Sequence, residues 1–218
     1  MDWHRNHLDY DSGVVAITIG LDTLKCTGAL IRSNVVLTAG HCISSNMEDP
    51  MFVQYNCTDI DKNCLNSKVE RKVIYPEYNP NNDIWHDIGL LILEDDLNVQ
   101  TIELATPDDI EQAYNFKMPV VLAGFGSRPA MYGQMFSTQS TISNFYAFEI
   151  FFAETGTNGP CKGDSGGPAM IESFDNKKKV LGVLSRKGSF DTCGGNSRYT
   201  SVVMYLDWIK FVERYLAN

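Results

Sequence analysis

The chain has 218 residues with a formal net charge of −9 at pH 7, and 44% of its residues are hydrophobic and 21% charged. This composition is that of a folded globular chain, long enough for one large core or two small ones. The negative charge argues against a nucleic-acid partner, which needs lysine and arginine to displace counterions. No apolar run reaches the ~18 residues of a spanning helix, so we expect no membrane partner either.

The start of the chain and its cysteines bear on its compartment. Residues 1–6 are polar and lack the apolar core of a signal peptide. The cysteine count is six, an even number that favours an oxidising compartment. We therefore expect a secreted or periplasmic protein whose leader is not present in this chain. The absence of a C-x-x-C pair gives no reason to expect a metal, and we expect no cofactor.

The cysteines do not fix their own pairing. Two pairs lie close in sequence and a third is left over: Cys26 with Cys42, Cys57 with Cys64, and Cys161 with Cys193. Bridges within the first two pairs are sterically plausible. Six cysteines allow many connectivities, however, so the residues alone leave the pairing open.

Short apolar and β-branched runs recur along the chain, separated by turn-forming clusters. They lie at 14–19, 29–31, 35–38, 72–75, 88–93, 120–124, 148–152 and 180–184. Many short strands indicate a sandwich or barrels rather than βαβ units. We interpret 106–117 as the connection between two halves. The last stretch, 201–218, has apolar residues three and four apart and predicts an amphipathic helix.

The strongest chemical signal is the segment 163–168, Gly-Asp-Ser-Gly-Gly-Pro. A serine among glycines lies where the backbone turns sharply and another molecule can approach closely. Successive N–H groups at such a turn could converge on an oxyanion. A plain Gly/Ser loop between strands is the alternative for a shorter motif, and the full hexapeptide argues against it.

Two further segments offer partners for Ser165. His41 follows an apolar strand and two small residues and precedes Cys42, whose bridge would hold its backbone. Asp87 opens the apolar run 88–93, where a partly buried carboxylate needs a partner such as the Nδ1 proton of a neutral imidazole. Taken singly, each has a simpler interpretation, as a histidine at a strand end and as a strand cap.

Together, in this order, the segments LTAGHC, DIGLLIL and CKGDSGGP resemble the His, Asp and Ser motifs of the chymotrypsin/trypsin family. The resemblance extends to CTGALI at 26–31, AGFG at 123–126, RYTSV at 198–202 and LDWI at 206–209. The stretch from Gly126 to Asp164 is short for an animal member, and compact forms of this kind occur among microbial secreted members. We therefore expect a compact member of bacterial or other non-vertebrate origin.

The resemblance implies an all-β fold of two antiparallel six-stranded barrels with a C-terminal α-helix. The chain would be a single peptidase domain, with a barrel at 1–112 carrying His41 and Asp87. A second barrel with the helix, at 113–218, would carry Ser165. The resemblance also implies the bridges Cys26–Cys42 and Cys161–Cys193, which leaves Cys57–Cys64 as a clasp on a surface loop.

The activity implied is that of a serine endopeptidase, with Ser165 as nucleophile, His41 as base and Asp87 orienting that base. The N–H groups of Gly163 and Ser165 would form the oxyanion hole. In the family, Asp164 pairs with an α-amino group released by proteolysis. Residues 1–4 do not match the family's terminal motif. Asp164 would therefore pair with the amine of Met1, with a terminus that differs from this one, or with another partner.

Specificity is expected to depend on Gly159, Lys162, Ser185, Arg186, Lys187 and Arg198. Gly159 stands at the floor of the pocket, so the pocket should not select lysine or arginine. Arg186 and Lys187 replace the family's Trp-Gly, and with Lys162 and Arg198 they would favour acidic substrate residues. Alternatively these cations are solvated loop charges, and the uncharged floor suits apolar or aromatic residues equally well.

A catalytically silent homologue that binds a partner through the cleft is the main alternative, motivated by the unusual N-terminus and the missing Trp-Gly. The intact catalytic residues and Gly163 argue against it. An esterase on an α/β fold is excluded because its order is Ser, Asp, His. We expect a monomer whose partners are protein or peptide substrates and a proteinaceous inhibitor. The sequon at Asn56 leaves glycosylation open.

Overall fold

The computed structural model describes residues 13–81, 85–128, 131–153, 159–172, 177–188, 193 and 195–217. The strands are β1 Val14–Ile19, β2 Thr23–Arg32, β3 Val35–Thr38, β4 Met51–Tyr55, β5 Leu65–Ile74, β6 Gly89–Leu93, β7 Glu103–Leu104, β8 Val120–Gly124, β9 Phe136–Ser140, β10 Ile142–Phe145, β11 Glu149–Ala153, β12 Pro168–Glu172, β13 Lys178–Lys187 and β14 Asn196–Ser201. The helices are α1 Gly40–Ser44, α2 Pro107–Asn115 and α3 Leu206–Leu216, the last preceded by a 3₁₀ turn at Val202–Tyr205.

The first six strands close into an antiparallel barrel in the order β1-β2-β3-β6-β5-β4. Successive residues of a strand point to opposite faces, and both faces of β1 are buried. Val15 and Ile17 pack in the barrel core, whereas Val14 and Ala16 pack in a larger core that extends into the second half of the chain. Burial on both faces explains why this strand is an unbroken apolar run.

The remaining strands form a second sheet in the order β10-β11-β14-β13-β12-β8-β9, with the short β7 pairing parallel to β13. Only Thr141 separates β9 from β10, and these two strands lie at opposite ends of that order. The sheet is therefore curled into a half-barrel. The structure thus has one closed six-stranded barrel and one curled sheet of eight strands. The predicted all-β, chymotrypsin-like fold is confirmed.

The segment 106–117, interpreted as the connection between the two halves, contains the helix α2, which was not predicted. Thr106 and Asp109 form a capping box, in which each side chain accepts the other's backbone N–H, and Pro107 occupies the first turn. The carboxylate of Asp109 also pairs with Lys179 on β13 at 3.1 Å. The domain boundary that we placed between residues 112 and 113 falls inside this helix and stays a prediction.

The predicted C-terminal helix is present as α3, and its buried Ile209 and Val212 dock on the shared core. Within the described part of the chain, no helix is long and apolar enough to cross a membrane.

Candidate active site

Strand pairing brings His41 and Asp87 together. The strands β3 and β6 are antiparallel, with Thr38 opposite Gly89, so the end of β3 lies beside the start of β6. His41 is in the short helix α1 just after β3, and Asp87 lies two residues before β6. The disulfide between Cys26 and Cys42 fixes the next residue of α1 to β2.

The carboxylate of Asp87 is buried and accepts hydrogen bonds from three donors. Its Oδ2 is 2.8 Å from Nδ1 of His41 and accepts from Oγ of Ser185 at 2.6 Å. Its Oδ1 accepts from the backbone N–H of His41 at 2.8 Å. Because an ionised carboxylate only accepts, Nδ1 carries the imidazole proton and Nε2 is left as an acceptor. The site therefore presents a base with its lone pair directed away from Asp87.

The second sheet contributes two of the groups that hold Asp87. Ser185 lies on β13, and Thr200 on β14 donates through its hydroxyl to the carbonyl oxygen of Asp87 at 3.0 Å. Asp87 is thus held from both halves of the fold. The sequence assigns Ser185 to the specificity pocket and gives no indication of its contact with Asp87. Thr200 was not among the predicted site residues, since a single hydroxyl in a strand carries no local signal.

The residue before Asp87 was also missed. His86 has a positive φ of 60°, an uncommon backbone conformation for a residue with a side chain. Its ring is stacked on Tyr75, meets Phe148 edge-on and places Nδ1 3.1 Å from the hydroxyl of Tyr205. Burial raises the pKa of the Tyr205 phenol, so that hydroxyl stays protonated. These contacts offset the backbone cost and fix the turn that leads into Asp87.

Ser165 lies in a tight turn fastened to β2. Thr27 donates its N–H to the carbonyl of Ser165 at 2.9 Å and its hydroxyl to the carbonyl of Gly163 at 3.0 Å. Sγ of Cys42 lies 3.6 Å from that Ser165 carbonyl and 3.7 Å from Nε2 of His41. The backbone of Ser165 and the imidazole of His41 therefore contact the same sulfur atom. Gly163 has a φ of 98°, which a side chain rarely permits.

Asp164 points away from this turn into the protein. Its carboxylate accepts from the N–H of Gly126 at 2.6 Å and from the N–H of Cys161 at 2.7 Å, and it pairs with Arg128 at 3.2 Å. Met1, one of the partners considered for Asp164, lies outside the described residues.

The structure places the four predicted pocket cations in different surroundings. Arg186 pairs with the buried carboxylate of Glu149, so its charge is neutralised within the protein. Lys187 donates to the carbonyl of Pro160 at 3.3 Å.

The guanidinium of Arg198 lies 5.1 Å from the ring centre of Phe151, and Lys162 is exposed. Gly159 is buried. The neighbouring residues 154–158 and 189–192 are outside the described part of the chain. The described residues therefore leave fewer free cations near the pocket than the sequence suggested.

The structure contains the three disulfides Cys26–Cys42, Cys57–Cys64 and Cys161–Cys193, which is the pairing that the resemblance implied. Among the described residues, the one group with metal-ligand spacing is Cys26, Cys42 and His41. Its sulfur atoms form a disulfide and are not thiolates. This cluster therefore offers a single imidazole and does not fit a metal ion.

An all-β fold in which a buried aspartate contacts a partly exposed histidine between the two halves defines the chymotrypsin-like class. The family model described as Trypsin matches residues 8–209, so the chain belongs to the trypsin family. It is 29% identical to CLIP domain-containing serine protease B15 of Anopheles gambiae over 88% of this chain and 63% of that protein. It is 26% identical to CLIP domain-containing serine protease B10 of the same species, over 88% of this chain and 62% of that protein.

Chymotrypsin-C of Mus musculus is 27% identical over 85% of this chain and 76% of that protein. The chain thus spans less than two thirds of the length of the two CLIP-domain relatives. These relatives are animal proteins and lend no support to the bacterial origin that was one of the two alternatives for the short 126–164 stretch.

Proposed function

We propose that the chain is a serine endopeptidase that cleaves peptide bonds through an acyl-enzyme formed on Ser165. The observation that carries this proposal is the 2.8 Å contact between Nδ1 of His41 and the buried carboxylate of Asp87, beside the turn that holds Ser165. A serine hydroxyl is a weak nucleophile unless a base takes its proton as it attacks. Nε2 of His41 is the acceptor left for that proton.

The proposed reaction has two stages, acylation of Ser165 and hydrolysis of the acyl-enzyme. Oγ of Ser165 bonds to the substrate carbonyl carbon while Nε2 of His41 takes the hydroxyl proton. The imidazolium so formed is stabilised by Asp87 and gives its proton to the leaving amine as the peptide bond breaks. Water attacks the acyl-enzyme by the same route, releases the acid and restores the serine hydroxyl.

The oxyanion of each tetrahedral intermediate needs donors that are not already engaged. Among the hydrogen bonds between described residues, the N–H groups of Gly163 and Ser165 donate none. Two such donors in a fixed turn are the usual means of stabilising this charge, because they require no reorganisation as the charge develops. We assign the oxyanion hole to these two groups.

The substrate class follows from the proposed chemistry and the pocket. The substrates are proteins or peptides, and the uncharged floor at Gly159 disfavours cleavage after lysine or arginine. Because Arg186 is neutralised by Glu149, an apolar or aromatic residue fits better than an acidic one. Three disulfides support an extracellular location. The proposal also includes that the protein is a monomer and that a proteinaceous inhibitor can occupy the cleft.

A peptide library with a reporter group tests the activity directly. We expect the wild-type protein to hydrolyse some members, and Ser165→Ala and His41→Ala to hydrolyse none measurably above background. Arg71→Gln, at an exposed position on β5, serves as a folded control that retains full activity. No turnover of any member by folded wild-type protein would contradict the proposal and favour the silent binding homologue.

A further inference from the structure

The residue next to the proposed nucleophile carries a buried negative charge. The side chain of Asp164 is 3% exposed, and two of its three polar contacts with described residues are to backbone N–H groups, those of Gly126 and Cys161. Two neutral donors leave the net charge uncompensated, and a carboxylate buried without a cation is strongly destabilising. The conformation of this residue therefore depends on its third partner.

The third partner is Arg128, whose side chain is only 10% exposed. One terminal nitrogen of its guanidinium contacts Oδ2 of Asp164 at 3.2 Å, and the other donates to the carbonyl of Gly126 at 3.0 Å. The guanidinium lies 4.5 Å from the ring centre of Phe136. Salt bridge, carbonyl and aromatic face together satisfy the cation in a buried position. The pair is built into the protein interior and is not a solvated surface contact.

The Asp164 carboxylate fits in this position because residue 126 is a glycine. A Cβ at Gly126 would lie 2.5 Å from the carboxyl carbon of Asp164, too close for any side chain. The Gly-Phe-Gly segment at 124–126, which resembles a family motif, therefore forms the part of the protein that contacts the Asp164 carboxylate.

The loop that presents Arg128 is held by the first barrel. Arg128 and Met131 exchange two backbone hydrogen bonds of 2.9 Å. Farther along, Ile60 donates its N–H to the carbonyl of Gly133 at 3.0 Å, and Met135 donates its N–H to the carbonyl of Thr58 at 2.8 Å.

The disulfide between Cys57 and Cys64 closes the partner loop that contains these first-barrel groups. The clasp is therefore more than a surface feature, because it braces the loop that carries the cation.

The side chain of Asp164 is coupled to the oxyanion-binding turn through the backbone. Its N–H donates to the carbonyl of Cys161 at 3.2 Å, and its carbonyl accepts from the N–H of Gly167 at 2.8 Å. Gly163 and Ser165, whose N–H groups we assign to the oxyanion hole, are its immediate neighbours. If the carboxylate leaves its site, both neighbours move with it.

We propose that Arg128 is a positioning residue that supplies, from within the chain, the cation that Asp164 needs. The oxyanion-binding turn then forms without a free α-amino group at an N-terminus, and the protein requires no proteolytic cleavage to order this turn. The link to catalysis rests on the proposed function. The ordering of the turn itself does not, because it can be measured in an inactive protein.

The experiment measures hydrogen–deuterium exchange and fluorophosphonate labelling in the same set of proteins. The variants are Arg128→Gln, Arg128→Lys and a form with four extra residues before Met1, with Arg71→Gln as the matched exposed control. In Arg128→Gln we expect the amides of Gly126 and Cys161 to exchange at least about ten-fold faster, because the buried carboxylate loses its cation. Arg128→Lys should fall between this variant and wild type, and the extended form should match wild type.

Labelling reports on catalysis separately from exchange. We expect Arg128→Gln to be labelled about 100-fold more slowly, with the extended form and Arg71→Gln at the wild-type rate. Wild-type exchange rates in Arg128→Gln, or faster exchange in the extended form alone, would overturn the proposal. If wild type is not labelled while Arg128→Gln shows fast exchange, the proposed function fails and the ordering role stands.

Arg128→Lys covers the case in which Arg128→Gln does not fold, because it keeps a cation at this position. We expect Arg128→Lys to fold and its Gly126 and Cys161 amides to exchange faster than those of wild type. Failure of Arg128→Lys to fold as well would contradict a role based on charge pairing.

Discussion

Replacing Asp87 with asparagine exchanges one oxygen for an NH₂ group at nearly constant size, and the structure indicates which oxygen survives. Oδ1 faces the backbone N–H of His41 at 2.8 Å, a donor that cannot rotate away or become an acceptor. The amide oxygen must stay there, so the NH₂ group takes the place of Oδ2. It then faces Nδ1 of His41, which can accept only if its proton moves to Nε2. Nε2 is then unable to take the proton of Ser165.

The size of the effect follows from the bonds at Oδ2. Two donors, Nδ1 of His41 and Oγ of Ser185, approach that oxygen at 2.8 and 2.6 Å. A hydrogen bond to a charged group contributes roughly 1.5–3 kcal/mol, so about 3–6 kcal/mol of stabilisation is lost when the imidazolium forms. At about 1.4 kcal/mol per factor of ten, kcat should fall by about 10²–10⁴. KM should change little because Asp87 is buried away from the substrate.

Steady-state kinetics on a reporter peptide measure this change. Asp95→Asn is the matched control, because Asp95 also accepts a hydrogen bond from a serine hydroxyl, that of Ser67 at 2.9 Å, but is exposed and outside the site. We expect it to retain wild-type kcat. If folded Asp87→Asn keeps kcat within about ten-fold of wild type, the tautomer argument is refuted.

Four further predictions concern individual residues. Ser185→Ala should lower kcat about ten-fold, since the carboxylate loses one of three donors; a rise in KM alone would instead indicate the pocket role. Gly163→Ala should lower kcat by about 10²–10³, because a side chain is strained at a φ of 98° and would shift the N–H assigned to the oxyanion hole; unchanged kinetics would contradict the need for this backbone conformation. Thr106→Ala should cost about 0.5–2 kcal/mol in urea unfolding, and no loss would mean that the capping box of α2 is not stabilising. Burial raises the pKa of Asp109, but hydrogen bonds from Thr106 and Lys179 outweigh it and leave the pKa below 3.8. The ionised Asp109 carboxylate therefore stabilises the fold above pH 3.8, and this stabilisation is lost as the pH falls through the lowered pKa. In Asp109→Asn, the free energy of unfolding should depend less on pH in that range.

The features that sequence could predict are local. The apolar run of β1 reflects burial on both faces, and the runs that became β3 and β8 coincide with those strands. The helix α2 was missed although a capping signal is present in Thr-Pro-Asp-Asp at 106–109, because this segment was interpreted only as the connection between the two halves. The strand β4 was missed because Gln54 interrupts its apolar pattern, and β12 was missed because it begins at Pro168 and has only three apolar residues after it.

The contacts that complete the site join residues far apart in the chain and leave no pattern in the sequence. Ser185 and Asp87 are 98 residues apart in the chain, and Arg128 and Asp164 are 36 apart. A single serine or arginine is unremarkable in sequence. Only the packing of the second sheet on the first barrel shows what each one touches. Motifs identified the catalytic candidates, whereas the residues that position them required the fold.

The most direct test of the central claim is the intact mass of the protein before and after a fluorophosphonate probe, with Ser165→Ala as control. An activated serine predicts one stoichiometric adduct on the wild-type protein and none on the variant. A folded, fully disulfide-bonded wild-type protein that gains no adduct, or an equal adduct on Ser165→Ala, would contradict Ser165 as the nucleophile.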